Sequence, residues 1–156
     1  MEFLEKDLEE VIYLADKVKL MEKGLDLNGK LFRQLRIGNY GICDLLHVYK
    51  NYNNIICFEI LELKKDKIGI SAFLQAVNYI RGIQIYLKNV KKRNYYNYNY
   101  EITLIGKKVD DSGSFIYLPN ICDKNFLSIN FYTYSYNENG IYFNLHNDYS
   151  LIDNGF

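Results

Sequence analysis

The stretch GICDLLHVYK (41–50), NYNN (51–54) and IICFEILELKKDK (55–67) decides the fold. Two apolar, β-prone runs flank an Asn-rich turn, the pattern of an antiparallel β-hairpin. With the turn centred near Tyr52 and Asn53, Asp44 falls opposite residue 61 or 62, so Asp44 and Glu62 stand side by side on one sheet face. The period of two places Ile42, Asp44, Leu46 and Val48 on one face of the first strand. Phe58, Ile60, Glu62 and Lys64 share a face of the second. Three charges therefore interrupt an apolar surface. Two desolvated carboxylates repel each other, and a divalent cation with an ammonium close by accounts for them most easily. A surface ion pair between Glu62 and Lys64 on an edge strand is the alternative reading.

Outward from the hairpin, residues 3–22 read as one amphipathic helix with Leu4, Leu8, Val11, Ala15 and Val18 on its apolar face. Gly24 and Asn28-Gly29 end it, and a short strand over 31–37 precedes the Gly38-Asn39 turn. Residues 70–88 return to helical spacing, with Ile70, Phe73, Val77 and Ile80 on one stripe. The basic run Lys88 to Arg93 and the tyrosine and asparagine tract Tyr95 to Tyr100 read as an exposed connection. Strands are expected at 101–106, 115–119, 127–136 and 141–146, the last two joined by the turn Asn137-Glu138-Asn139-Gly140.

Composition narrows the class. The chain has 156 residues, 49% of them hydrophobic and 24% charged, with one proline. That predicts a single folded domain over 1–156, with a core of about 3–108 and a β-rich extension over about 109–156. No apolar run reaches the roughly 18–20 residues of a membrane span, and an acidic N-terminus is unlike a signal peptide, so a cytoplasmic protein with no membrane contact is expected. Nineteen basic and nineteen acidic residues cancel. Contact with a polyanion must then be local. Cys43, Cys57 and Cys122 are odd in number and far apart, against a disulfide framework or zinc site, and His47 and His146 sit in no ligand or triad spacing.

Asp44, then seventeen residues, then Glu62-Leu63-Lys64 on an apolar strand, then a helix bearing Gln75-x-x-x-Tyr79, resembles the PD-(D/E)xK nuclease superfamily. The helix with Glu5-x-x-Leu8, the turn Gly38 to Gly41, the string Glu59 to Lys65 and the strand Ile102 to Gly106 follow that family's order, similar to archaeal Holliday-junction resolvases and related endonucleases. The resemblance covers roughly residues 3–108. It implies an α/β, restriction-endonuclease-like fold, a mixed central sheet flanked by helices, and metal-dependent endonuclease activity on DNA.

By that resemblance Asp44, Glu62 and the Leu63 carbonyl would ligate Mg²⁺, or Mn²⁺, and Lys64 would be the catalytic lysine. Gln75 would orient substrate or ligands, and Glu5 would be the helix-borne acid, with Glu9 one turn on as its alternative. Cys43 stands where the family commonly has proline. Glu59 offers another register, but it lies on the opposite strand face and no lysine follows two places later. Arg33, Arg36, Lys88, Lys91, Lys92 and Arg93, with Lys107 and Lys108, are the candidate DNA-backbone contacts. A homo-oligomer or protein partner could complete the DNA cleft. A catalytically silent nuclease-fold protein, serving as a nucleic-acid-binding or assembly module, is the rival expectation.

Overall fold

The structure, a computed structural model, describes residues 5–121 and 126–146. Leu4 and Cys122 of the sequence analysis lie outside them. The described chain runs α1 (Glu5–Leu14), α2 (Lys17–Glu22), β1 (Lys30–Arg36), β2 (Ile42–Lys50), β3 (Ile56–Leu63), β4 (Lys67–Ile68), α3 (Ile70–Asn89), β5 (Asn99–Gly106), β6 (Lys108–Val109), α4 (Leu118–Ile121), β7 (Leu127–Asn137) and β8 (Gly140–Leu145). Single 3₁₀ turns lie at Gly38–Tyr40, Tyr95–Asn97 and Ser114–Tyr117.

Six strands form one mixed sheet in the order β1-β2-β3-β5-β7-β8. The β1, β2 and β3 meander is antiparallel, β3, β5 and β7 are parallel, and β8 returns antiparallel on β7. Parallel pairing of β3 with β5 requires a crossover, and α3 supplies it. The β-rich stretch after 109 contributes β7 and β8 to this same sheet. No helix among the described residues is long and apolar enough to cross a membrane.

Each face of the sheet buries its own cluster. On one, Ala72, Ala76, Tyr79, Ile80 and Ile83 of α3 pack over Cys43, Leu46, Ile60, Ile102, Leu104 and Phe131. On the other, Leu8, Ile12 and Leu20 of α1 and α2, with Leu25 and Leu27, cover Leu45, Leu61, Leu63, Ile105, Tyr134 and Phe143. Leu61 and Ile60 go to opposite sides, and a strand buried on both faces reads as continuous hydrophobicity. Gly24 joins α2 to this layer. Its φ is +106°, and a Cβ there would lie 2.0 Å from the Phe143 carbonyl oxygen, which only glycine avoids.

Several sequence expectations are corrected. The helix over 3–22 is two helices, because Asp16 Oδ1 accepts from Val18 N (2.9 Å) and Lys19 N (3.2 Å) and starts α2 afresh. Its buried face is Leu8, Ile12 and Leu20, leaving Val11 and Val18 exposed. In α3, Ile70 and Val77 are exposed, while the small Ala72 and Ala76 let the helix approach the sheet. Leu8, Ala15, Phe73 and Ile80 of the expected stripes do pack on the core, so periodicity found part of each buried face and added exposed neighbours to it. The strand expected at 115–119 is a 3₁₀ turn leading into α4. Phe115, Ile116 and Leu118 pack on the α3-side core, and the fixed φ of Pro119 suits a helix start. In the tract 95–100, Tyr98 and Tyr100 are buried, so only part of it is exposed.

On the α1 and α2 side of the sheet, away from the carboxylate pair, lies a buried polar chain. Gly29 N donates to His47 Nε2 (2.8 Å), so the ring proton sits on Nδ1, facing Glu59 Oε1 at 2.8 Å. Thr103 Oγ1 donates to Glu59 Oε2, Asn130 Nδ2 donates to Glu101 Oε2 (2.9 Å), and Tyr49 OH donates to Glu101 Oε1. Glu59 and Glu101 are direct partners in the parallel register. Burial and then the Glu59 charge push the Glu101 carboxyl up to about 7. A folded-state value above the unfolded one means the native state holds the extra proton between about pH 4.5 and 7, so stability falls as pH rises through that window. Glu101→Gln is therefore expected to flatten the decline in melting temperature between pH 5 and 7.5; an unchanged profile would contradict the assignment.

Candidate active site

Regular pairing stops where the two sequence-predicted carboxylates meet. The β2–β3 ladder runs from Lys50↔Ile56 to Leu45↔Leu61, which places Asp44 beside Glu62 as the hairpin register predicts. In place of a further rung, Leu63 N donates to Asp44 Oδ2 (2.9 Å), and the Asp44 backbone N–H is aimed at the Glu62 carboxylate. Strand alternation breaks at the same level in both β1 and β2. Phe32 and Leu35 both face the α3 core, as do Cys43 and Leu46, with Gln34 and Asp44 between them. Gln34 has φ +49°, uncommon for a residue with a side chain. The kink frees the Asp44 side chain from the pleat and turns it toward β3.

Glu62 is 2% exposed, and its Oε1 has no hydrogen-bond partner among the described residues. Burial, followed by the charge of Asp44, pushes its carboxyl up to about 8, with Lys64 opposing. Burial likewise raises Asp44, opposed by the Leu63 N–H. The Cys43 thiol, buried between the same carboxylates and the α3 core, is pushed up to about 12. That makes it an unreactive filler rather than a nucleophile. Lys64 follows the end of β3, its N–H donating to Ile105 O (2.8 Å), and its ammonium acts on both carboxylates.

Tyr79 fixes the other side of the site. Its OH donates to Ile42 O (2.8 Å), tying α3 to the strand just before Asp44, and Gln75 Nε2 donates to the Tyr79 hydroxyl oxygen (2.8 Å). Gln75 is thereby held at the exposed rim. Gly41, at φ +115°, would put a Cβ 3.2 Å from Tyr79 Cε1, so glycine permits both the turn and the close approach of the ring. In the sequence Tyr79 is only a spacing marker; its bond to Ile42 appears once α3 is docked.

A cleft of ≈ 510 Å³ opens beside Asp44, lined also by Glu5, Lys6, Glu9, Arg33 and Gln34. Of the two helix acids, Glu9 is committed to the scaffold. It is buried, pairs with Arg33 Nε at 2.8 Å and accepts from Gln34 Nε2, which braces the kinked residue. Glu5 is exposed in the cleft. Arg33 is neutralised by Glu9 and stacked over Tyr13, whereas Arg36 is exposed.

The basic run is not at this site. Lys88, Lys91, Lys92 and Arg93 lie at the C-terminal end of α3, next to the start of β5, while the carboxylates sit near its finish, Glu62 facing Leu104. Five residues of strand separate Asn99 from Leu104, roughly 16 Å. Lys107 and Lys108, just past the end of β5, share the site's end of the sheet, with Lys67 paired opposite Lys108. The sequence could not reveal this, because which end of a crossover helix meets the site depends on parallel pairing.

Could a cation sit here? No group of three or more His, Cys, Asp or Glu side chains converges among the described residues. Asp44 and Glu62 are nevertheless hard oxygen donors, and the buried, unpartnered Glu62 Oε1 is the kind of atom a cation would satisfy. The residues therefore fit an ion held by two carboxylates, a backbone carbonyl and water.

No family model and no curated protein matches the chain. Among solved structures it is similar to a chain of an EndoMS–dsDNA2 complex, with 15% identity over 85% of this chain and 46% of that one, at TM-score 0.48. It is also similar to a repair endonuclease from Pyrococcus abyssi, with 19% identity over 83% of this chain and 47% of that one, at TM-score 0.46. The chain spans about half the length of the solved chains it matches.

Proposed function

We propose that this protein is a metal-dependent nuclease of the PD-(D/E)xK kind that hydrolyses DNA phosphodiester bonds. The observation that carries the reading is Glu62: a buried carboxylate with an unpartnered oxygen, set beside Asp44 at a break in the sheet and followed by Lys64. A scaffold gains nothing from that arrangement, since desolvating two adjacent carboxylates costs stability.

Asp44, Glu62 and the Leu63 carbonyl would hold Mg²⁺ or Mn²⁺, which when bound supplies positive charge to the scissile phosphate and acidifies a water. Lys64 stabilises the charge accumulating on the phosphate and orients the attacking water. Gln75, fixed through Tyr79, positions groups at the rim, and Glu5 faces the cleft where the cleaved strand would lie. Lys107 and Lys108 would meet flanking phosphates.

The test is incubation of the purified protein with supercoiled, linear and single-stranded DNA, with Mg²⁺ or Mn²⁺ and with chelator. Cleavage that requires the metal and falls at least a hundredfold in Lys64→Ala is expected. Folded protein that cuts none of these substrates, or that cuts equally well in chelator, would overturn the reading.

A further inference from the structure

The net neutrality of the chain conceals a segregation of charge. From Lys67 to Tyr100 there is no acidic residue, while Lys67, Arg81, Lys88, Lys91, Lys92 and Arg93 are all basic. Apart from Lys67 these belong to one end of the molecule: the outer half of α3, its C-terminal turn and the loop that follows, where each is exposed. Lys88 in the last turn of α3 and the left-handed Lys92 (φ +53°) hold the run at the helix C-terminus, which favours cations.

Aromatic rings lie against this charge. Phe126, Tyr96 and Tyr95 form a row with centroids 5.5 Å and 4.6 Å apart, and the Arg81 guanidinium lies 5.8 Å from the Tyr95 centroid. Arg93 donates to Tyr98 OH (3.1 Å), and Lys91 stands over Tyr86. Tyr95 packs into the α3-side core, yet Tyr96 is 65% exposed. Asn94 Oδ1 accepts from Tyr96 N (3.0 Å) and fixes the turn that presents it. An exposed, backed and oriented ring amid positive charge that no salt bridge pairs among the described residues matches the needs of unpaired bases on a phosphodiester backbone. Duplex DNA, whose bases are stacked internally, could use only the charge.

We propose that this end of the molecule is a second nucleic-acid contact, a stacking platform for single-stranded DNA built from Tyr96, Lys88, Lys91, Lys92 and Arg93. Its Lys88 lies roughly 20 Å along α3 from Gln75, counting thirteen residues of helix. A single strand held here is bound apart from the scissile bond. The platform deepens the nuclease reading by favouring substrates with an unpaired segment, but it binds without any chemistry at Asp44 and Glu62.

The test is fluorescence anisotropy with labelled dT16 and a labelled 16-bp duplex, in chelator so that nothing is cut. Tyr96→Ala is expected to weaken dT16 binding at least fivefold and duplex binding less than twofold. Lys91→Ala/Lys92→Ala/Arg93→Ala should weaken both and reduce the log K against log[salt] slope for dT16 by about 2, at roughly 0.7 per lost contact. Parent-like dT16 binding by both platform variants, or no dT16 binding by the parent at low salt, would overturn the platform even if the protein cleaves DNA. Platform-dependent binding by a protein that never cleaves would uphold it and sink the nuclease reading instead.

Discussion

Glu62→Gln is expected to lower metal-dependent cleavage by about 10³-fold or more while leaving the metal-free protein at least as stable as the parent. The two effects have one cause. Glu62 is 2% exposed, its Oε1 is unpartnered, and both burial and the Asp44 charge disfavour its ionised form. An amide of the same shape carries no charge, so at pH 7.5 the substitution is expected to stabilise the metal-free fold by about 1–3 kcal/mol. With Mg²⁺ present, the parent should gain melting temperature and the variant should not. Thermal denaturation with and without metal, beside a cleavage assay, checks both arms. A variant that unfolds more readily without metal would show that Glu62 is a structural carboxylate.

His47→Ala is expected to act oppositely, on stability rather than chemistry. His47 bridges Gly29 N and Glu59, and its loss leaves a buried N–H and a buried carboxylate each short of a partner. Breaking one side of a buried charged interaction costs about 3–5 kcal/mol, or roughly 6–20 °C for a chain of this size. Replacing both partners, as in His47→Leu/Glu59→Leu, should recover part of the loss. Denaturant unfolding measures this directly; a cost below about 1 kcal/mol would mean the chain of polar groups is not a structural unit.

The two buried acids of β3 illustrate what the sequence makes legible. Period-two alternation separates Glu59 from Glu62, and the structure places Glu59 in the His47 network and Glu62 beside Asp44. The hairpin register was readable because it depends on local spacing and a recognisable turn. The kink at Gln34 and Asp44 was not, since a break in alternation shared by two strands follows from their pairing rather than from either sequence. Glu9 and Arg33 looked like candidate site groups, yet a contact across 24 residues binds them to each other. The basic run was obvious as composition, but its distance from the carboxylates required the parallel order of β3 and β5. Phe115 to Leu118 failed differently: β-prone residues were recruited as helical packing against the core.

The central claim is that Asp44 and Glu62 together form a divalent-cation site. It is tested most directly by titrating Mn²⁺ into the protein and reading free Mn²⁺ by electron paramagnetic resonance. The account predicts saturable Mn²⁺ binding by the parent that is lost in both Asp44→Asn and Glu62→Gln and retained in Glu59→Gln. Binding that survives in Glu62→Gln, or a folded parent that takes up no Mn²⁺, would contradict it.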